Sequence, residues 1–513
     1  MSRSGIDSTL ILPEELAMMI LDHVEETIPL SHVCRRWRDF VHAHGSFWKT
    51  INFLDDGGEH RMHLYEILQM QFNASQHPGL EVWINIRRNL WEFPEEDDEK
   101  ATHAVPLSAL LNLVHLIEQN IGRTTSLAIA APEAILTLFT KGGEHLFNTD
   151  APLLEILQLR RYPDDSLGSY HFYFTCLSHY PALRILNLHV DLDDYIEHSG
   201  ENWKKTPFPA HATLEVLVWE YPYEPDTKPP LLEDCLEKLP RLQVLELIGQ
   251  QDDNQTLTTP RDTSERLAQF NRVAMPARVL DQLDLRQLAH VPYIRAEDPR
   301  APVVQGLVEH FLVPQTAGHP NPARRYPMHL DLLPWDSDLN GQIMTLEEIG
   351  IGGLHRAFNF VLYTWLPDAP AVVELATRVT RIALSMKEWH EIFQALIGAP
   401  ALQELEIRLL GRTDEQYMLQ ETTITRSPNL RTLILRPAPK AVERPVRLIC
   451  STLVNFVQDM ISPAAHLKMR LVLHNILWVA PEENDEPEEI QSPPDQLLRS
   501  IFLDVDTVES PQV

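Results

Sequence analysis

One six-residue pattern recurs along this chain at a nearly fixed step. A fixed step constrains a fold more tightly than composition or any single motif can, because every copy must take up the same local structure. The pattern is L-x-x-L-x-L. It occurs in APLLEILQL (151–159), YPALRILNL (180–188), HATLEVLVW (211–219) and LPRLQVLEL (239–247), then again in APALQELEI (399–407) and SPNLRTLIL (427–435). The first leucines fall at Leu154, Leu183, Leu214 and Leu242, and at Leu402 and Leu430, giving steps of 29, 31, 28 and 28 residues within the two groups. Weaker copies lie at Leu280-Leu283-Leu285 and Val379-Ile382-Leu384.

The last two leucines of each copy alternate as on a strand and are expected to face inward. The first closes the preceding turn, and about 20 residues between copies would form a helix covering the strand. A proline stands two places before the first leucine at Pro152, Pro181, Pro240, Pro400 and Pro428, where it ends the preceding helix and fixes the turn. A single unit would leave both sheet edges unpaired, so stacking neighbours is what completes ladder and core. The pattern resembles that of leucine-rich repeats, although the asparagine or cysteine that commonly follows the strand is missing. The resemblance implies an α/β solenoid. A compact doubly wound α/β domain also alternates strands and helices, but does not require a fixed period.

Ahead of the repeats stands a different kind of sequence, LPEELAMMILDHVEETIPLSHVCRRWRDFVHAHGSFWKTINF (12–53). Pro13 with Glu14 and Glu15 suits a helix start, since proline gives up an N–H that has no intrahelical partner and carboxylates favour the positive end of the dipole. Leu16, Met19, Ile20 and Val24 form one apolar stripe, and Val33, Trp37, Phe40 and Val41 a second. Gly45-Ser46 reads as a turn and cap before Phe47, Trp48 and Ile51. Three short amphipathic helices in some forty residues bury little core alone and are expected to dock on something.

The order LPEEL, helix, VCRRWRDF, FWKTI resembles the F-box motif. That resemblance implies a three-helix unit that docks on the Skp-type adaptor of Skp–cullin–F-box (SCF) ubiquitin ligases. Carried over by position, the adaptor-facing residues are Leu12, Pro13, Glu15, Leu16, Ile20, Val33, Cys34 and Trp37. The joining segment Glu25–Leu30 is shorter than is usual for the family. The bland reading of this head is a helical hairpin packed on its own domain.

The reading is therefore an α/β chain with a small three-helix F-box head followed by an irregular leucine-rich-repeat-like α/β solenoid, a layout similar to fungal F-box proteins. Its expected parts are a flexible N-terminus (1–10), the F-box (11–54), the solenoid (55–480) with inserted loops at about 250–265 and 314–340, and an acidic, mostly disordered tail (481–513). The period is poorest over about 285–370. Residues 441–461 read as an amphipathic helix and Leu471–Leu473 as the last strand.

Composition narrows the function. With 44% hydrophobic and 23% charged residues the chain is expected to fold, and its net charge of −30 argues against unspecific nucleic-acid binding. The four cysteines (Cys34, Cys176, Cys235, Cys450) are far apart with no CxxC, which fits a reducing compartment, cytoplasmic or nuclear, and gives no metal site. No eighteen-residue apolar run and no signal peptide stand out.

No glycine-rich phosphate loop, H-E-x-x-H or G-x-S-x-G occurs, so neither a nucleotide cofactor nor catalysis is expected. His42 and His44 sit at i, i+2 on a helix, point apart, and chelate poorly. Among Trp83, Trp91, Trp203, Trp219, Trp335, Trp365 and Trp389, core packing is the default, with some available for recognition on an open face. The implied function is substrate receptor of an SCF-type ubiquitin ligase, in ubiquitin-dependent degradation. Its partners would be a Skp-type adaptor, a cullin through it, and an unidentified protein target, with no membrane and no cofactor. The alternative is a non-catalytic interaction scaffold without ligase association.

Overall fold

The computed structural model describes residues 13–21, 34–43, 48–55, 61–75, 78–87, 107–140, 149–162, 174–189, 210–220, 236–248, 264–267, 269–276, 280, 288, 291–297, 328–334, 342–348, 355–360, 376–385, 399–409, 429–438, 446–458, 469–479, 498 and 502–508. The chain divides into two compact units, Met1–Phe270 and Asn271–Val513. Both are mixed α/β, with mostly parallel strands and few helices.

In the first unit, helices α1 (Glu14–Leu21) and α2 (Arg35–Ala43) precede β1 (Thr50–Asp55), α3 (Arg61–Ala74), β2 (Leu80–Ile86), α4 (Leu107–Asn120), β3 (Thr124–Pro132), α5 (Glu133–Thr140), β4 (Ile156–Tyr162), β5 (Ile185–His189), β6 (Val216–Glu220) and β7 (Val244–Ile248). Each strand from β1 to β7 pairs in parallel with the next in sequence. The register places two apolar rows across all seven strands. One is Ile51, Val82, Leu127, Leu157, Leu186, Leu217 and Leu245; the other is Phe53, Ile84, Ile129, Leu159, Leu188, Trp219 and Leu247. Every member is buried. The period-2 alternation thus puts one side of each strand wholly into the core.

In three copies of the first unit the first leucine closes its turn as expected. The N–H groups of Leu154, Leu183 and Leu242 donate to the carbonyls of Ala151, Tyr180 and Leu239 at 3.1, 3.0 and 3.2 Å. Pro152, Pro181 and Pro240 are therefore the second residues of four-residue turns, where their fixed φ is an advantage and no N–H is missed. Residues 211–214 have alanine in that place, and side chains compensate. Thr213 Oγ1 donates to the Leu183 carbonyl at 2.9 Å, and the buried His211 donates from Nε2 to the Tyr180 carbonyl at 2.9 Å. The residue after the leucine extends the ladder: Arg184 N–H reaches the Glu155 carbonyl, Glu215 that of Arg184, and Gln243 that of Glu215, each at 2.8 Å.

The connections are less regular than the strands. Helices α3, α4 and α5 link β1 to β4, and Arg123, just past α4, donates to the Phe72 carbonyl at 3.0 Å near the end of α3. Between β4 and β5 the described element is a 3₁₀ turn, Phe174–His179, not the expected full helix. It seats Leu177 in the core with Tyr180 just beyond it, so a short turn suffices where two large side chains fill the layer.

Removing one member of a row should be costly because the neighbours on both sides are fixed by the ladder. Leu217→Ala is expected to destabilise the first unit by about 3 kcal/mol, read as a lower urea midpoint for the Trp219 fluorescence transition.

Among its described residues the second unit holds strands β8 (Arg272–Pro276), β9 (Tyr293–Glu297), β10 (Met328–Pro334), β11 (Gln342–Glu348), β12 (His355–Phe360), β13 (Val379–Ser385), β14 (Glu404–Leu409), β15 (Thr432–Pro437), β16 (Val446–Ile449), β17 (Met469–His474), β18 (Ile476–Val479) and β19 (Phe502–Val508), with a helix, Cys450–Phe456, after β16. Strands β13, β14, β15, β17 and β19 form a parallel ladder, and β8 pairs in parallel with β9.

Four expectations change here. The 314–340 segment, expected to leave the stack as a loop, contains β10. With β11 and β12 it makes an antiparallel meander whose outer members pair in parallel with β13 and β9. This reversal accounts for the lost period over 285–370. The weak copy at Leu280 has no described strand: Leu280 is helical, and Leu283 and Leu285 lie outside the described residues. Residues 446–449 are a strand before a short helix, because Val446 and Leu448 alternate inward, and β16 pairs with β18. Asn475 turns the chain from β17 into β18 with φ 49°, a left-handed conformation asparagine tolerates. The tail, expected to be mostly disordered, supplies β19, anchored by the buried Phe502 and paired with β17.

Candidate functional site

The head is built from the contact of α1 with α2. Pro13 stands just outside α1, and its carbonyl accepts the first helical hydrogen bond from Ala17 N–H at 3.1 Å. Cys34 plays the same part for α2, accepting from Arg38 N–H at 3.0 Å. The centre of the contact is Ala17, Trp37 and Val41, all buried, with Cys34 and Phe40 packed against them. Alanine at 17 leaves room for the indole to approach the helix closely. Trp37 meets Phe40 edge-to-face at 6.2 Å, and the Arg36 guanidinium lies 5.0 Å from the Phe40 ring centroid.

This arrangement turns the expected stripe of α1 outward. Leu16, Met19 and Ile20 are 47%, 58% and 40% exposed, while Ala17 is fully buried. Pro13 and Glu15 are exposed beside them. A helix that keeps an alanine for its own fold and presents three large apolar residues to water has an exposed apolar face, each residue worth on the order of 1 kcal/mol if covered. Of the eight residues carried over by resemblance, Pro13, Glu15, Leu16 and Ile20 lie on or beside this face. Trp37 lies in the head's interior, Cys34 is half-buried, and Leu12 and Val33 fall outside the described residues. The third apolar group is divided: Trp48 is half-buried, while Ile51 belongs to β1, the first strand of the ladder.

Because Trp37 carries most of the small head core, Trp37→Ala should destabilise the α1–α2 contact by about 3 kcal/mol. Proteolysis in the 22–33 connection would then accelerate, while cleavage within residues 124–248 stays at the wild-type rate.

On the strand face opposite the core, Trp83 and Leu54 are 45% and 47% exposed on β2 and β1, and Tyr162 donates its hydroxyl to Asn85 Oδ1 at 2.9 Å across three strands. Trp219 and Trp478 are buried; Trp91, Trp203, Trp335, Trp365 and Trp389 lie outside the described residues. Burial, and then the charge and hydrogen bond of Asp55, raise the pKa of the Tyr65 hydroxyl.

A polar cluster that the sequence reading missed occupies the corresponding face of the second unit. Glu406 on β14 is fully buried, and its carboxylate meets three guanidiniums: Arg381 Nη2 at 2.8 Å, Arg408 Nε at 3.2 Å and Arg436 Nε at 3.1 Å. Arg408 also reaches Asp331 on β10, at 2.7 Å from Nη1 and 2.9 Å from Nη2. Burial works against the Arg408 charge, but the hydrogen bond and charge of Asp331, followed by those of Glu406, outweigh it and hold its pKa above the ordinary value. The signal for this cluster is E-x-R in 406–408 with arginine at 381 and 436, but only the strand register shows that the four meet.

Among the described residues there is no group of three or more His, Cys, Asp or Glu placed to hold a metal, and no helix is long and apolar enough to cross a membrane. The class defined by these features is a mixed α/β chain, largely parallel, with a two-helix contact at its head and an exposed apolar helix face. Residues 9–54 match the F-box-like family model, which places an F-box-like domain over that head. No curated protein matches the chain.

Proposed function

We propose that this protein is a substrate receptor of an SCF-type ubiquitin ligase. The head, completed as a three-helix F-box, holds a Skp-type adaptor and through it a cullin; the strand ladders form a leucine-rich-repeat-like solenoid that holds a protein target. The observation that carries this reading is the exposed Leu16–Met19–Ile20 face inside a segment that matches the F-box-like family model. Such domains characteristically bind adaptors of this type, and an apolar helix face is what a helical adaptor groove covers. The chain itself catalyses nothing. It raises the local concentration of target lysines near the conjugating enzyme, an effective-concentration role that requires only two binding surfaces at fixed separation. We assign Pro13, Leu16 and Ile20 to direct contact, with Glu15 and Leu12 flanking them. Trp37 and Cys34 support that face through the head's packing. The protein acts in the cytoplasm or nucleus.

The test is co-purification with a Skp-type adaptor, comparing the intact chain with residues 48–513, which keep β1 and lose the helices. Retention by the first and loss by the second is expected; equal retention would place the adaptor elsewhere.

A further inference from the structure

The face of β15 and β17 in the second unit has the makings of a binding site. Its floor is Ile434 and Val472, neighbours in register and both half-buried. In the same row, Glu406 lies on one side and Asp506 on the other. Flanking the floor are Arg436 and His474 toward the strand ends, and Thr432 and Arg470 toward the starts.

Arg436 is the informative residue. Its Nε sits 3.1 Å from the buried Glu406 carboxylate, whose charge is shared with Arg381 and Arg408. Its side chain is 40% exposed, and its two terminal amino groups have no partner among the described residues. Its Nε is buried in ion-pair contact with that carboxylate without a hydrogen bond, and a partly exposed guanidinium of this kind suits a planar carboxylate. Arg470 is engaged by Asp506 at 2.6 Å. Asp504 and Asp506 on β19 bound the far side, so the cationic end of the face is the one at Arg436. Burial, then the nearby Arg436, lowers the pKa of His474, while Glu406 opposes this. A neutral imidazole beside the fork adds a hydrogen-bonding group without adding charge.

We propose that this face binds an acidic peptide segment of a partner protein, with a glutamate or aspartate carboxylate on the Arg436 fork and a neighbouring aliphatic side chain on the Ile434–Val472 floor. The charge complementarity argues for the carboxylate, and the half-buried aliphatic pair argues for the apolar neighbour. The site stands whether or not the head engages an adaptor.

The probe is a fluorescein-labelled peptide, Gly-Ser-Glu-Leu-Glu-Ser-Gly, titrated with the full chain in low salt and read by anisotropy. Matched peptides carry glutamine or phosphoserine in place of glutamate. The glutamate peptide should bind at least about tenfold more tightly than the glutamine peptide, in line with a charge-assisted pair. Arg436→Ala should remove that difference. Because Arg436 also contacts Glu406, a second pair of variants leaves that cluster untouched: Val472→Asp should abolish binding, and Val472→Lys, which loses the same apolar contact but carries the opposite charge, should weaken it less. Equal binding of glutamate and glutamine peptides would overturn the proposal, as would indifference to the sign of charge at 472. Binding of the phosphoserine peptide alone would overturn it in favour of a phosphate site.

Discussion

Glu406→Ala lowers the stability of the second unit by about 3–5 kcal/mol, the cost typical of removing one partner from a buried ion pair. The expected size follows from geometry. Glu406 is fully buried and holds guanidiniums from three successive ladder strands: Arg381 on β13, Arg408 on its own strand β14, and Arg436 on β15. Removing the carboxylate takes a charge partner from Arg408, itself 8% exposed at the side chain, and leaves its pair with Asp331. Arg381 keeps Glu404 at 3.0 Å, and Arg436 loses its anchor. Asp331 lies on β10, so Arg408 also ties the antiparallel meander to the parallel ladder across β13, where Ala383 leaves space. Hydrogen exchange should therefore show β10 and β13 losing protection first. Glu406→Gln preserves volume and an acceptor, and should cost less than alanine. If Glu406→Ala shifts the unfolding midpoint no more than an exposed control in the same unit such as Asp504→Ala, the cluster contributes no net stability.

Leu16→Asp/Ile20→Asp is expected to weaken adaptor binding by on the order of a hundredfold or more. Central apolar contacts commonly cost 2 kcal/mol or more each when lost, and 1.4 kcal/mol is a factor of ten in affinity. Both positions are well exposed, so the variant removes contact area without opening the Ala17–Trp37–Val41 core. Its intrinsic helix cost, roughly 0.5 kcal/mol per aspartate, is small beside the binding loss. Circular dichroism should be unchanged, and titration calorimetry should show the loss. A variant that binds normally would move the contact off α1, whereas loss of helical signal would mean that the two residues serve the fold.

The ladder was largely legible before any coordinates because L-x-x-L-x-L encodes three facts at once. It marks the turn-closing leucine, the two inward strand positions and the step between neighbours, and Leu183, Leu186 and Leu188 occupy those places. Where a strand lacks the motif, its place in the sheet was not legible. Met328–Pro334 has alternating apolar residues, but proline-rich flanks outweighed them, and nothing local says that its neighbours run antiparallel. β19 was hidden by the acidic run before it, since a strand buried by Phe502 needs few apolar residues.

In the head, helical spacing located the stripe of α1 but not its direction. Ala17 is too small to register as core by hydrophobicity, yet it is the residue that Trp37 packs against. The Glu406 cluster was illegible for a different reason. Its members are up to 105 residues apart in sequence, from Asp331 to Arg436, and only the register brings them together.

The most direct test of the receptor assignment is complex formation between the purified intact chain and a purified Skp-type adaptor, followed by size-exclusion chromatography with light scattering. The account predicts a stable one-to-one complex that Leu16→Asp/Ile20→Asp disrupts. Failure of the intact chain to form a complex, under conditions in which a control F-box protein does, would contradict it.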